Sequence, residues 1–440
     1  MYRIFLLGFM LCSEVVFSQN TEFPSASLKL KDAITIGINQ NKKILSSKVT
    51  SQISKSKEKI AFNEQLPELE AHYMYNRMSR LRQYQNGGFA GGPTKYFLKR
   101  SLYELDGNAV LPLYKGGKLQ TEKKIAQTET EISELVVEKS EKQVKMELIS
   151  DYFDVYNLFE HLKVIQDHIN EDNILLKHIT NLEKNGVVTY NEILRSELQL
   201  KQDSLEFITI NNDIKIAHDR IKYHLSASED YQIQVDTTGL SFGMNEVLDL
   251  NAILKMAHHE NEDLKIGEKE TDLKHLEIKA QKAAYFPTVN LVGHAKLSYP
   301  NYMFFPPENF AYTIGFIGID VKWNLSNIYT NREKVKLQRL KLESHHLEHE
   351  ELEEQVNFEV KRAYTKYIEA QDKIEVYKKA VLQAEENFRI VKSKYLNQLC
   401  LITELIDADN TLLETQSKLI TSKIDKQLKY YQLQYIIGTL

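Results

Sequence analysis

The 440-residue chain has few cysteines, prolines and glycines. Its two cysteines, Cys12 and Cys400, leave no disulfide framework if the first is removed with a leader. Only eight prolines and 17 glycines, beside 27% charged residues, favour a mostly helical protein. The formal charge of −5 is small for this length, so no nucleic-acid partner is expected.

Long hydrophobic runs are also missing. No stretch after the N-terminus is an unbroken apolar run of 18 residues, which excludes a membrane helix. The first 18 residues hold Arg3, a short apolar core and Ser18, and they predict a signal peptide over 1–18. Lipid attachment at Cys12 is the alternative, although Leu11 is not the small residue expected before it. An exported chain of this kind is periplasmic, secreted or an outer-membrane barrel.

Catalytic and metal-binding patterns are weak. His345 and His349 form an i, i+4 pair that could hold a metal, but the surrounding Glu/Lys pattern favours a solvated helix face. We find no nucleophile–base arrangement. We therefore expect no enzyme activity, no cofactor and no metal.

The chain consists of two repeats. Residues from Asn41 to Pro67 match those from Asn261 to Pro287 at an offset of 220. Repeat 1, over 19–235, is predicted to contain a helix over 28–65, strands over 67–78 and 100–113, a long helix over 118–182, a tip over 183–190 and a helix over 191–225. Repeat 2, over 236–440, is predicted to contain a helix over 246–285, strands over 287–299 and 311–324, a long helix over 330–396, a tip over 397–402 and a helix over 403–437.

The four predicted strands have one apolar and one polar face. In the first pair Tyr73 and Leu105 lie on one face, and Glu104 and Asp106 on the other. Four strands cannot cross a bilayer with open edges. Two chains would supply eight strands, with an interior filled by side chains, and three chains would supply twelve, with room for a channel. Soluble hairpins packed on the helices are the alternative.

Each repeat ends its long helix in a short turn, at Glu183–Leu194 and at Tyr395–Asp407. Glu404 and Asp407 are three residues apart, so they share one helix face. Threefold symmetry would gather six such carboxylates at one mouth. The alternative is that both are ordinary solvated positions near a turn.

These motifs, in this order and duplicated, resemble the outer membrane efflux protein family of TolC-like channels. The residues that carry the resemblance are the prolines before strands, the stretch over 111–117, the first tip over 185–194 and the C-terminal Gly438–Leu440. The resemblance implies a mainly α fold with a membrane β-barrel. The implied assembly is a trimeric α/β-barrel, to which each chain would contribute four strands and long coiled-coil helices in two structural repeats.

The resemblance also implies a function and partners. It predicts an exit duct in the outer membrane of a Gram-negative bacterium, with a long periplasmic extension, serving a tripartite efflux or type I secretion system. The expected partners are two further copies, outer-membrane lipid, a periplasmic adaptor (membrane fusion) protein and an inner-membrane pump of RND or ABC type. A periplasmic or surface coiled-coil structural protein is the alternative, and the alternating strands argue against it. The cargo is not predicted.

Site residues are implied by position in the family's motifs. The expected pore constriction and gate consist of Glu404, Asp407, Glu192 and Tyr395. The expected tip turns and adaptor contacts are Asn185, Gly186, Val187, Asn397, Gln398 and Leu399. The expected helix–strand junctions are Pro67, Pro112 and Pro287. Two residues depart from the family pattern: Cys400 stands where some relatives carry an arginine latch, and Gln398 replaces a tip glycine.

Overall fold

The computed structural model describes residues 28–84, 92–97, 99–228, 235–236, 249–301, 303–304 and 308–440. The predicted signal peptide lies outside the described residues. Repeat 1 contains α1 (Leu30–Gln40), α2 (Lys42–Asn63), β1 (Glu68–Arg77), β2 (Leu81–Gln83), β3 (Thr94–Tyr96), β4 (Ser101–Lys115), α3 (Lys118–Lys184) and α4 (Tyr190–Leu225). Repeat 2 contains α5 (Leu250–Glu260), α6 (Glu262–Ala283), β5 (Thr288–Tyr299), β6 (Tyr312–Lys322), α7 (Asn327–Leu396) and α8 (Ile402–Ile437).

The helices α3 and α7 dominate the molecule. They have 67 and 70 residues and contain neither proline nor glycine. At the rise of an α-helix each is about 100 Å long. Within the described ranges, no helix combines the length and apolarity needed to cross a membrane.

The predicted single helices over 28–65 and 246–285 are wrong, because each is broken by an asparagine. Asn41 has an extended ψ of 125°, and its Oδ1 accepts a hydrogen bond from the Lys43 N–H at 2.9 Å. Asn261 caps α6 in the same way, with its Oδ1 2.9 Å from the Asp263 nitrogen. The break takes up a single residue and the cap restarts the helix at once, so the apolar period continues and hides it.

Both asparagines also reach to the far end of their repeat. Asn41 Nδ2 donates to the carbonyl of His224 at 2.7 Å, in the last turn of α4. Asn261 Nδ2 donates to the carbonyl of Ile436 at 2.9 Å, in the last turn of α8. The same residue therefore fastens the same two elements in both repeats.

One antiparallel sheet, in the order β1-β4-β5-β6, joins the two repeats. Its register places Tyr73, Leu105 and Leu297 in one cross-strand row of the apolar face. The opposite face is polar: Lys296 Nζ lies 2.7 Å from Glu104 Oε1. The strands β1 and β6 form the two edges of this sheet.

The prediction that Pro112 marks a helix–strand junction is wrong. Pro67 and Pro287 directly precede β1 and β5, but Pro112 lies inside β4. The register between β4 and β5 shifts between Pro112 and Tyr114, which is a β-bulge. A bulge tolerates a residue that has no N–H to donate, so the strand continues past the proline.

Separate buried clusters stabilise the helical part. In repeat 1, Val144 and Tyr152 of α3 pack with Ile221 of α4. In repeat 2, Val360 of α7 packs with Leu433 of α8. A further cluster lies between the two helical hairpins at their far end, where the tip turns are.

Candidate functional site

The first tip turn joins α3 to α4 at Asn185 and Gly186. Gly186 has a φ of +72°, in the left-handed region that glycine adopts without strain. The N–H of Val187 donates to the carbonyl of Leu182 at 2.9 Å. This is a Schellman ending, which supplies donors to the last carbonyls of the helix.

The second tip turn joins α7 to α8 and has the same hydrogen bonds. The N–H of Leu399 donates to the carbonyl of Lys394 at 2.9 Å. Asn397 ends the helix, and Gln398 takes the left-handed position with a φ of +60°. A residue with a Cβ is therefore held where the first turn has glycine.

We predict that Gln398→Gly stabilises the protein by about 1 kcal/mol, because a left-handed conformation costs a non-glycine residue about that much. Gly186→Gln is the mirror change in the first turn and should destabilise the protein by a similar amount. Chemical denaturation midpoints of both variants test this. Equal effects of the same sign would contradict it.

Tyr395 and Glu192 connect the two repeats at the tip. The Tyr395 hydroxyl donates to Glu192 Oε2 at 2.7 Å, from the end of α7 to the first turn of α4. Tyr395 is only 4% exposed and lies in the same cluster as Ile179 and Leu405. Burial and the hydrogen bond to Glu192 both raise the pKa of Tyr395, so its hydroxyl remains a donor at neutral pH.

The carboxylates of Glu404 and Asp407 are exposed on the first turns of α8. Glu404 Oε1 lies 3.4 Å from the backbone nitrogen of Leu401 and accepts its hydrogen bond at the start of the helix. Within one chain the structure therefore brings Tyr395 and Glu192 together and leaves these two carboxylates facing solvent.

Cys400 packs against the hydrophobic cluster at the tip and hydrogen-bonds within its own repeat. Its Sγ donates to the carbonyl of Val391 at 3.6 Å. Burial, with a smaller effect of the Glu404 charge, raises the pKa of the thiol. A neutral thiol cannot replace the cationic latch expected in some relatives at this position.

Beyond the turns the tip exposes apolar side chains. Leu399 is 75% exposed and Leu401 is 68% exposed, with Val187 and Tyr190 of the first repeat beside the other turn. Large exposed apolar groups at one end of a protein are typical of a contact surface. Asn185 and Asn397 hydrogen-bond back to their own helices, at Asn181 and Ser393.

Behind the tip is a buried polar cluster that the sequence did not reveal. It contains His168, Asp172, Asp203 and Asp409, all less than a tenth exposed. Their positions follow helical spacing, and in a chain rich in acidic residues they were indistinguishable from a solvated face. The available signal was an acidic residue on the helix face that is elsewhere apolar.

Residues 253–439 match the family model described as outer membrane efflux protein. No curated protein matches the sequence. Among solved structures, the outer-membrane channel OprN superposes with a TM-score of 0.78 at 13% identity, covering 93% of this chain and 90% of that one.

Two further channels have the same fold. The CmeC outer membrane channel of Campylobacter jejuni gives a TM-score of 0.76 at 13% identity, covering 93% of this chain and 85% of that one. The open state of the MtrE outer membrane channel of Neisseria gonorrhoeae gives 0.73 at 15% identity, covering 93% and 88%.

The predicted mainly α fold is thus confirmed, and the resemblance is supported by the family model over residues 253–439. The family model describes an outer membrane efflux protein, and the three solved structures are outer-membrane channels. Residues 253–439 match the outer membrane efflux protein family, and nearly the whole chain has the fold of these outer-membrane channels.

Proposed function

We propose that three copies of the chain form a passive exit duct across the outer membrane, closed at its periplasmic tip. An inner-membrane pump of RND or ABC type supplies the energy, through a periplasmic adaptor. The observation that carries this proposal is the sheet, which has two opposite faces and two open edges.

The apolar face of the sheet favours lipid as its surroundings. Ile317 is 83% exposed, Leu69 77% and Ile319 68%. A soluble structural protein would leave this surface in water, at a cost of about 25 cal/mol for each Å². Lipid removes that cost, as on the outer face of a membrane barrel.

The polar face suits a water-filled lumen. His294 Nδ1 lies 2.8 Å from Asn108 Oδ1, and Glu104 accepts from Lys296 on the neighbouring strand. Aromatic residues lie at both ends of the apolar face. Tyr103 has its ring 5.1 Å from that of Tyr75 at one end, and the exposed Trp323 is at the other. Such rows are typical of the two membrane interfaces.

The edges favour three copies. In lipid, the open edges of β1 and β6 would leave backbone groups without partners. Pairing β6 of one copy with β1 of the next removes both edges. Three copies give twelve strands and a channel, whereas eight strands are filled by side chains.

The contacts at the tip support the proposal that the duct is gated there. The bond between Tyr395 and Glu192 holds α7 against α4, and loss of it would free the second helical hairpin. Threefold symmetry would bring the exposed Glu404 and Asp407 of each copy to one aperture. The exposed apolar turn at Leu399 is the surface that we assign to the adaptor.

Purification from membranes and recording in a planar lipid bilayer test the proposal. We expect a detergent-requiring trimer from the outer-membrane fraction that conducts ions without an energy source. A soluble dimer from the periplasm would instead support a coiled-coil structural protein.

We predict that the double variant Glu404→Gln, Asp407→Asn weakens block of this conductance by multivalent cations about tenfold or more, since it removes the acidic ring. Glu414→Gln is the matched control, because Glu414 lies on the same helix and is paired with Lys418. Block that stays unchanged in the double variant would rule out the ring.

A further inference from the structure

A buried cluster links three helices behind the tip. It consists of the buried His168 and Asp172 on α3, Gln199 and Asp203 on α4, and Asp409 on α8, with the half-buried Gln416 and the exposed Asn410 of α8 at its border. The three carboxyl side chains belong to residues that are 6%, 3% and 8% exposed. The cluster therefore crosses from repeat 1 to repeat 2 inside the protein.

The neutral amide of Gln199 links α4 to α8. Gln199 Nε2 donates to Asp203 Oδ1 at 3.0 Å and to Asn410 Oδ1 at 2.9 Å. His168 lies between two acceptors of α8, with Nδ1 3.4 Å from Asp409 Oδ1 and Nε2 3.4 Å from Gln416 Oε1. An imidazole can donate to both only when both nitrogens carry protons.

The carboxyls are short of donors. Within the described part of the chain, no group donates a hydrogen bond to Asp172 Oδ2 or Asp203 Oδ2. Glu171 also faces His168, and its own carboxylate lies 3.6 Å from Lys392 of α7. Three buried carboxylates beside one imidazolium would be short of positive charge, and each uncompensated buried ion costs several kcal/mol.

We propose that a proton held by Asp172 against Asp203 closes a clasp between α8 and the α3–α4 pair. Acid tightens this junction between the repeats, and alkali loosens it. With the proton bound, one carboxyl donates to the other, and Gln199 continues the connection to Asn410. Without it, two adjacent carboxylates and Asp409 repel one another.

The pKa values of Asp172 and His168 are both raised, which is the direction that the clasp requires. Burial, then the hydrogen bond with Asp203 and the charge of Asp409, raises the pKa of Asp172 to about 8. Burial lowers the pKa of His168, but its close contact with the Asp409 carboxylate outweighs burial and raises the pKa overall. A raised pKa stabilises the protonated folded form. This stability is complete below the ordinary Asp pKa of 3.8 and is lost as the pH rises towards 8.

The clasp lies on the helices that carry the gate. Asp172 precedes Asn185 by 13 positions, which is about 20 Å along α3. Loosening α8 there would release the helix that bears Glu404 and Asp407. The connection between the clasp and opening of the tip rests on the proposed function, whereas the clasp itself does not.

Amide hydrogen exchange on the full chain in detergent, at pH 5.5 and pH 8.5, tests the clasp. Rates are divided by those of unstructured peptides at the same pH. We expect the opening constants of segments 165–176, 199–207 and 405–413 to rise with pH by up to about tenfold per pH unit for each proton released. Asp172→Asn should show a clearly smaller rise, since its amide donates at any pH and only the raised pKa of His168 still responds to pH.

Asp167→Asn is the matched control, because Asp167 is an exposed carboxylate on the same helix. It should keep the wild-type pH dependence. If Asp172→Asn fails to fold, Asp203→Asn tests the same bond from the other side. Equal wild-type protection at both pH values, or a wild-type pH dependence in the asparagine variant, would overturn the clasp. If hydrogen exchange shows the pH dependence but the protein conducts no ions in a bilayer, the proposed duct is contradicted and the clasp is not.

Discussion

Replacing Gly116 by alanine is expected to destabilise the protein by about 3 kcal/mol, whereas the same change at Gly117 should cost about 1 kcal/mol. Both glycines have a positive φ, at +65° and +80°. A Cβ at Gly116 would lie 2.4 Å from the carbonyl oxygen of Ala283 and 3.0 Å from the Cβ of Phe286. A Cβ at Gly117 would meet nothing within 4 Å.

A Cβ at Gly116 would meet a backbone atom, the carbonyl oxygen of Ala283, and this is why the expected loss of stability is larger at Gly116 than at Gly117. Ala283 ends α6, and Gly116 lies between β4 and α3, so the clash falls where the strands of both repeats meet the helices. A carbonyl at the end of a helix cannot rotate away as a side chain can. Thermal unfolding of the two variants in detergent measures the difference in stability. Similar losses of stability at both positions would show that the backbone at Ala283 moves aside, and would contradict the prediction.

Tyr395→Phe is expected to open the tip. It keeps the buried ring but removes the 2.7 Å bond to Glu192, and a hydrogen bond to a charged group contributes about 2 kcal/mol. That corresponds to roughly thirtyfold in the opening equilibrium of each copy. Single-channel recordings should show a higher open probability, and in a trimer the effect would act three times.

Tyr190→Phe is the matched control, because Tyr190 lies at the same tip but is 61% exposed. It should leave conduction unchanged. Glu192→Gln should open the tip less than Tyr395→Phe, since an amide oxygen still accepts the hydroxyl proton. A double-mutant cycle isolates the pair. Indistinguishable recordings for Tyr395→Phe and Tyr190→Phe would exclude this bond from the gate.

The fold class was predictable because the chain changes its period abruptly. Apolar residues repeat as in a helix before Pro67 and alternate after it, and the duplicate at Pro287 does the same. The breaks at Asn41 and Asn261 were not predictable, because a one-residue interruption leaves the helical period in place. The short hairpin of β2 and β3, between the two strands predicted for repeat 1, was not predictable, because its three-residue strands are too brief to show alternation.

The candidate site was visible only in part. An Asn-Gly pair marks the first turn by its chemistry, whereas Gln398 fills the left-handed position of the second turn without any local signal. The contact between Tyr395 and Glu192 spans 203 positions, which no local pattern encodes. Burial of Asp172 and Asp203 depends on a third helix packing over them, so the residues alone suggested a solvated surface.

The asparagine bonds of the two repeats also constrain how the chain folds. Asn41 and Asn261 reach partners 183 and 175 residues away, across a complete hairpin of two long helices. Such contacts form late, because a long loop must close before they stabilise anything. Repeat 1 can make its bond once the chain has been synthesised to His224, before any residue of repeat 2 exists. The sheet is completed later, because β1 and β4 can pair within repeat 1 but the other edge of β4 remains open until β5 has been synthesised.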